Sequence, residues 1–141
     1  MSARAALLLA LLCAGCAPMR HSIEPYATDP AQARTLEARA SASCARARAD
    51  GVLPPRSFTT DGCSLWPDSG WRECCIEHDV AYWCGGEASA RKRADRSLRE
   101  CVAAGGHESA AAWMYYAVRF SGHPLWPFTW RWGYGWDWPG R

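Results

Sequence analysis

The run Cys74-Cys75-Ile76-Glu77-His78-Asp79-Val80-Ala81-Tyr82 sets a base beside a hard-cation ligand on one predicted helix. At about 100° per residue, His78 shares a face with Cys75 and Tyr82, while Asp79 points roughly a quarter-turn away. So placed, imidazole and carboxylate do not grip one ion together. They suit two neighbouring tasks: deprotonating a water, and holding a cation that polarises the bond the water attacks. The plainer alternatives are a satisfied core histidine and a solvated helix charge. A zinc site from Cys74, Cys75, His78 and Cys84 also competes, but adjacent cysteines on a helix diverge by about 100° and rarely serve one tetrahedral ion.

Such residues need a frame. One helix is predicted from Trp71 to Cys84, stopped by Gly85-Gly86, and the next from Ala88 to Ala104, stopped by Gly105-Gly106. Folded back as an antiparallel pair, they set His78 opposite Asp95, Cys74 opposite Cys101, and Ala81 opposite Ala94. Asp95 can then accept the proton on one imidazole nitrogen and leave the other as base. A Cys74–Cys101 bridge would lock that register, and the two alanines would let the backbones approach. Ahead of the pair, Asp29-Pro30 opens a helix running to Asp50, with Leu36, Ala40, Cys44 and Ala47 on one face and Gly51 as its stop. Residues 52–70 read as loop. A last helix spans Glu108 to Phe120 before Gly122. There is no internal repeat and little strand signal, so the expected class is mainly α: a small disulfide-stapled helical domain.

The 141 residues hold one domain. Residues 1–15 read as a secretory signal, with Arg4 before a short apolar run from Ala5 to Leu12. Cys13-Ala14-Gly15-Cys16 resembles a bacterial lipobox, which would make Cys16 a lipidated N-terminus anchored in the envelope. Residues 16–28 are expected as a polar tether, and 29–141 as the domain. Export leaves Cys44, Cys63, Cys74, Cys75, Cys84 and Cys101 as three disulfides. A formal charge of +2, with scattered basic residues, argues against a nucleic-acid partner. His21, His107 and His123 read as surface residues without a role, and Tyr115 and Tyr116 as core. Between Trp113 and Trp138 the chain is dense in aromatics, ending irregularly around Gly133, Gly135 and Pro139. That density suits a small core or, alternatively, a membrane–water boundary.

The string 74–82 resembles the active-site helix of the secreted, calcium-dependent phospholipase A2 family, whose pattern is C-C-x-x-H-D-x-C-Y. The resemblance covers about residues 59–103 and implies the family's helical fold. It also implies that His78 activates water, Asp79 binds calcium, Asp95 orients His78 and Tyr82 supports Asp95. The loop Asp61-Gly62-Cys63-Ser64-Leu65-Trp66-Pro67-Asp68 would then lend Ca2+ the carbonyls of Gly62, Ser64 and Trp66, with the Ser64 N–H as an oxyanion donor. Asp61 or Asp68 could offer a carboxylate instead. Cys74–Cys101 and Cys63–Cys75 follow as disulfides, which leaves Cys44 and Cys84 for each other. The family's additional bridge is missing from both of its places, now Ala81 and Ala94.

The implied activity is hydrolysis of the sn-2 acyl ester of phospholipids by a monomer at a membrane surface. The alternatives are a scaffold that binds lipid or a partner without turnover, and a structural lipoprotein with no ligand.

Overall fold

The structure, a computed structural model, describes residues 21–123, 125 and 126. Among these residues there are four helices: α1 (Pro30–Ala47), α2 (Arg72–Cys84), α3 (Ala88–Ala104) and α4 (Glu108–Ser121). Among the described residues there is no strand. The expected signal, Cys16 and most of the aromatic tail lie outside the described residues. No helix among the described residues is long and apolar enough to cross a membrane.

α1 begins where Asp29 accepts hydrogen bonds from the amides of Ala31 and Gln32, with proline in the first turn. It buries Ala33, Leu36, Ala40 and Cys44. The helix stops three residues short of the expected end at Asp50. Arg48 turns extended, and its guanidinium forks onto Asp50 at 2.9 and 2.7 Å. Ala47 is therefore exposed rather than part of the apolar face.

α1 packs on α2 through Leu36, Ala40, Cys44, Ile76, Val80 and Trp83, with Phe58 of the long loop between them. A second core joins Cys63, Cys75, Leu98, Val102, Ala111 and Met114, linking α2, α3 and α4. Three cystines brace this frame: Cys44–Cys84, Cys63–Cys75 and Cys74–Cys101. All three pairings match the expectation. None of them reaches α4, which is held by packing and by a charge network described below.

Residues 21–28, expected as tether, instead lie against the domain. Ile23 and Tyr26 pack on the first core, and the Ser22 amide donates to the Thr60 carbonyl at 3.2 Å. His21, expected at the surface, is buried. Its Nδ1 accepts from the Thr60 amide at 3.3 Å, its Nε2 lies 3.3 Å from Glu37, and its ring packs beside Phe58. Local composition could not show this, because the partners are 16 to 39 positions away.

The Cys44–Cys84 bridge closes 40 residues around the long loop. Replacing both cysteines by serine is predicted to cost about 2–4 kcal/mol, read as a lower denaturant midpoint. Cys74–Cys101, which fixes the α2–α3 register, stays intact in that variant.

Candidate active site

α2 and α3 put His78 and Asp95 in contact. His78 Nε2 lies 2.8 Å from Asp95 Oδ1, and the Tyr82 hydroxyl, one turn further along α2, donates to the same oxygen at 2.8 Å. Asp95 is fully buried. Burial pushes its carboxyl upward, but hydrogen bonds from His78, Arg119 and Tyr82 outweigh that and hold it below the ordinary carboxylate value. Burial, and then the Asp95 charge, push the Tyr82 phenol far up, so it stays a donor. With Nε2 taken by Asp95, Nδ1 is the nitrogen left to act as base.

Two arginines join this network without having been expected. Arg119 on α4 donates to Asp95 Oδ2 at 2.6 Å. Arg91 is buried on α3, donates to Tyr82 Oη at 3.1 Å, and reaches the Val118 and Arg119 carbonyls at 3.0 and 2.6 Å. It thereby ties the carboxyl end of α4 to the dyad. Its one sequence signal was the i,i+4 spacing to Asp95, masked by the basic run Arg91-Lys92-Arg93. Arg119 carried no local signal. Gly122 makes the approach possible: a Cβ there would lie 2.5 Å from the Tyr82 hydroxyl. Tyr116, expected as core, is exposed, while Tyr115 lies half-buried under Arg99.

Because the folded state holds Asp95 ionised, its contribution is complete above the ordinary carboxylate range and is lost as pH falls through that range and below. An acid melting series should therefore show a flatter decline for Asp95→Asn than for the parent protein.

The surroundings of Asp79 are built by the loop before α2. Thr60, buried and also unforeseen, donates from Oγ1 to Asp79 Oδ2 at 2.6 Å and accepts from the Gly62 amide at 3.1 Å. Asp68 Oδ1 accepts from the Cys63 amide at 2.9 Å, and Asp61 Oδ1 accepts from the Ser64 hydroxyl at 2.7 Å. Both acids are thus engaged inside the loop. Gly62 has φ +77°, and a Cβ there would meet the Asp68 carboxylate at 2.5 Å, so the turn requires glycine. Burial pushes Asp79 up to about 8, partly offset by the Thr60 hydrogen bond and reinforced by the charges of Asp61 and Asp68.

An apolar cavity of about 400 Å³ brings Gly62, Ser64, Trp66, His78, Asp79 and Tyr82 to one place, with Asp95 behind the wall. A second cavity, about 350 Å³, lies between α1, α2 and α3 where Ala81 and Ala94 leave space. It reaches His78 from another side but lacks Asp79, so of the two it is the first that holds both side chains. Among the described residues no three His, Cys, Asp or Glu side chains cluster as a metal site. A cation would rest on Asp79 and loop carbonyls. That oxygen-only donor set fits a hard divalent ion, and a cation beside Asp79 would offset the burial that otherwise keeps the carboxyl protonated.

No protein-family model, curated protein or solved structure matches the chain. What the site can do therefore rests on its own geometry.

Proposed function

We propose that the protein is a phospholipase A2-like hydrolase that cleaves the sn-2 acyl ester of phospholipids with calcium. The observation that carries this reading is the coincidence, in one apolar cavity, of an Asp95-oriented His78 and the Asp79 carboxyl beside the loop of Gly62, Ser64 and Trp66. His78 Nδ1 takes a proton from water as the water oxygen attacks the ester carbonyl. It then returns the proton to the leaving sn-2 oxygen as the acyl C–O bond breaks, releasing fatty acid and lysophospholipid. Asp95 holds the Nε2–H tautomer and stabilises the imidazolium that forms. Tyr82 and Arg119 fix the two Asp95 oxygens. Met114, Val118 and Leu98 offer the acyl chain an apolar wall. Asp79, with the carbonyls of Gly62, Ser64 and Trp66, would hold calcium, which supplies charge neutralisation for the phosphate and the developing oxyanion. The Ser64 N–H is a further oxyanion donor. With Cys16 acylated, the domain would work from the bacterial envelope, as a monomer beside its lipid.

The direct test is release of free fatty acid from phospholipid by purified protein. Chelation is expected to abolish release, and calcium to restore it. Undiminished release in chelator sinks the calcium-dependent assignment.

One observation favours a second reading, a lipid-binding module without turnover. The loop's own acid Asp68 occupies the space over Gly62 and takes the Cys63 amide. A calcium titration by calorimetry that shows no binding would select it.

A further inference from the structure

Among the described residues, nothing covers the apolar outer face of α4. Trp113, Tyr116 and Phe120 recur at three- and four-residue spacing on the side opposite buried Ala111 and Met114, and they are 70%, 64% and 69% exposed. Tryptophan, tyrosine and phenylalanine in a row on a helix surface are not what solvent selects. The ridge continues past its Phe120 end. Towards the cavity, Phe120 lies on its rim, faced by Leu65, which is 94% exposed at positive φ on the loop. Beyond Phe120, the Trp126 ring packs at 5.3 Å.

On its other flank the ridge meets positive charge. The Tyr116 ring contacts Tyr115 at 5.4 Å, and the Arg99 guanidinium stands over Tyr115 at 5.8 Å. Lys92, Arg96 and Arg99 share one exposed side of α3 at four- and three-residue spacing. Glu100, one turn after Arg96, borders the stripe at its outer edge, and from Ser109 to Ser121 α4 carries no acidic residue. The surface therefore runs from cavity rim through aromatic ridge to a basic stripe. Its chemistry matches the interface of a bilayer with anionic headgroups, where ring bodies enter the acyl boundary and cations meet phosphate.

We infer that the outer face of α4, flanked by Lys92, Arg96 and Arg99, docks the protein on an anionic phospholipid surface with the cavity mouth at the membrane plane. This rests on the lipid-ester reading for its purpose, but the binding itself does not require catalysis. Trp113, Tyr116 and Phe120 would enter the interface, and Leu65 would reach it from across the mouth.

The test uses the mature chain, residues 16–141, carrying Cys16→Ser, which removes both the apolar signal and acylation as sources of membrane affinity, in excess chelator so that neither calcium nor turnover contributes. Co-sedimentation with phosphatidylglycerol vesicles is compared with phosphatidylcholine vesicles. The parent is expected to bind the anionic vesicles more tightly. Charge reversal at Lys92, Arg96 and Arg99 should remove that preference, at roughly fivefold per cation before reversal is counted. Trp113→Ala with Tyr116→Ala and Phe120→Ala should weaken binding to both vesicles by at least about tenfold. All six positions are exposed, and a melting curve verifies that each variant is folded. Equal binding by the parent and both triple variants overturns the inference. So does a concentration-dependent dimer that Phe120→Ala abolishes, because the ridge would then cover a second copy. Fatty-acid release is measured separately on dispersed short-chain lipid. Release without vesicle binding overturns the docking face and leaves the hydrolase, whereas vesicle binding without release upholds the face and overturns the hydrolase.

Discussion

Replacing His78 by glutamine is expected to lower turnover by about two to four orders of magnitude while leaving the fold nearly as stable. Glutamine reaches a similar distance, and its amide nitrogen can still donate to Asp95 Oδ1, where His78 Nε2 now lies at 2.8 Å. The buried carboxylate therefore keeps a donor, and Tyr82 and Arg119 keep theirs. What disappears is the second ring nitrogen, since an amide is not a base at neutral pH. Fatty-acid release and thermal melting, measured on the same preparation, separate the two effects. Parental turnover in His78→Gln would show that the imidazole does not activate water. A collapse of the melting temperature alongside lost turnover would instead make His78 a structural residue.

The second large effect concerns Asp79, and its sign depends on calcium. Without the ion, the folded protein holds the Asp79 proton more tightly than the unfolded chain does. Burial, and then the acids Asp61 and Asp68, push the carboxyl up to about 8 despite the Thr60 hydrogen bond. For a carboxyl raised on folding, stability is greatest at low pH and falls as pH rises from about 4 towards the folded value. Asp79→Asn keeps an acceptor for the Thr60 hydroxyl and removes the charge. It should therefore melt at least about 5 °C above the parent at pH 8 in chelator. With calcium present the order should reverse or close, because the parent gains an ion that the variant cannot hold. The variant should also lose hydrolysis. Two melting curves at pH 8, with and without calcium, test both halves. A parent curve unmoved by millimolar calcium would remove Asp79 from any cation site.

Much of the frame was legible because it is written in local signals. Asp29-Pro30 opens α1, glycine pairs stop α2 and α3, and a tight turn between two helices leaves one antiparallel register in which Cys74 meets Cys101. From that register the His78–Asp95 contact follows at once, and so does the place of Tyr82 one turn beyond. The arithmetic of a helix is local, and the disulfide fixes its phase.

What the fold alone decided is what α4 and residues 21–28 do. Arg119 reads as a solvated cation until α4 packs on α3 and sets its guanidinium 2.6 Å from Asp95. Arg91 reads as part of a basic run until it is buried under the end of α4. His21 and Thr60 are 39 positions apart, and their pairing behind Asp79 appears only once the chain has closed. Helix periods and caps are set by neighbours along the chain, so the residue string determined them by itself. The charge balance around Asp95 and Asp79 is set by neighbours in space, and only tertiary packing could bring those together.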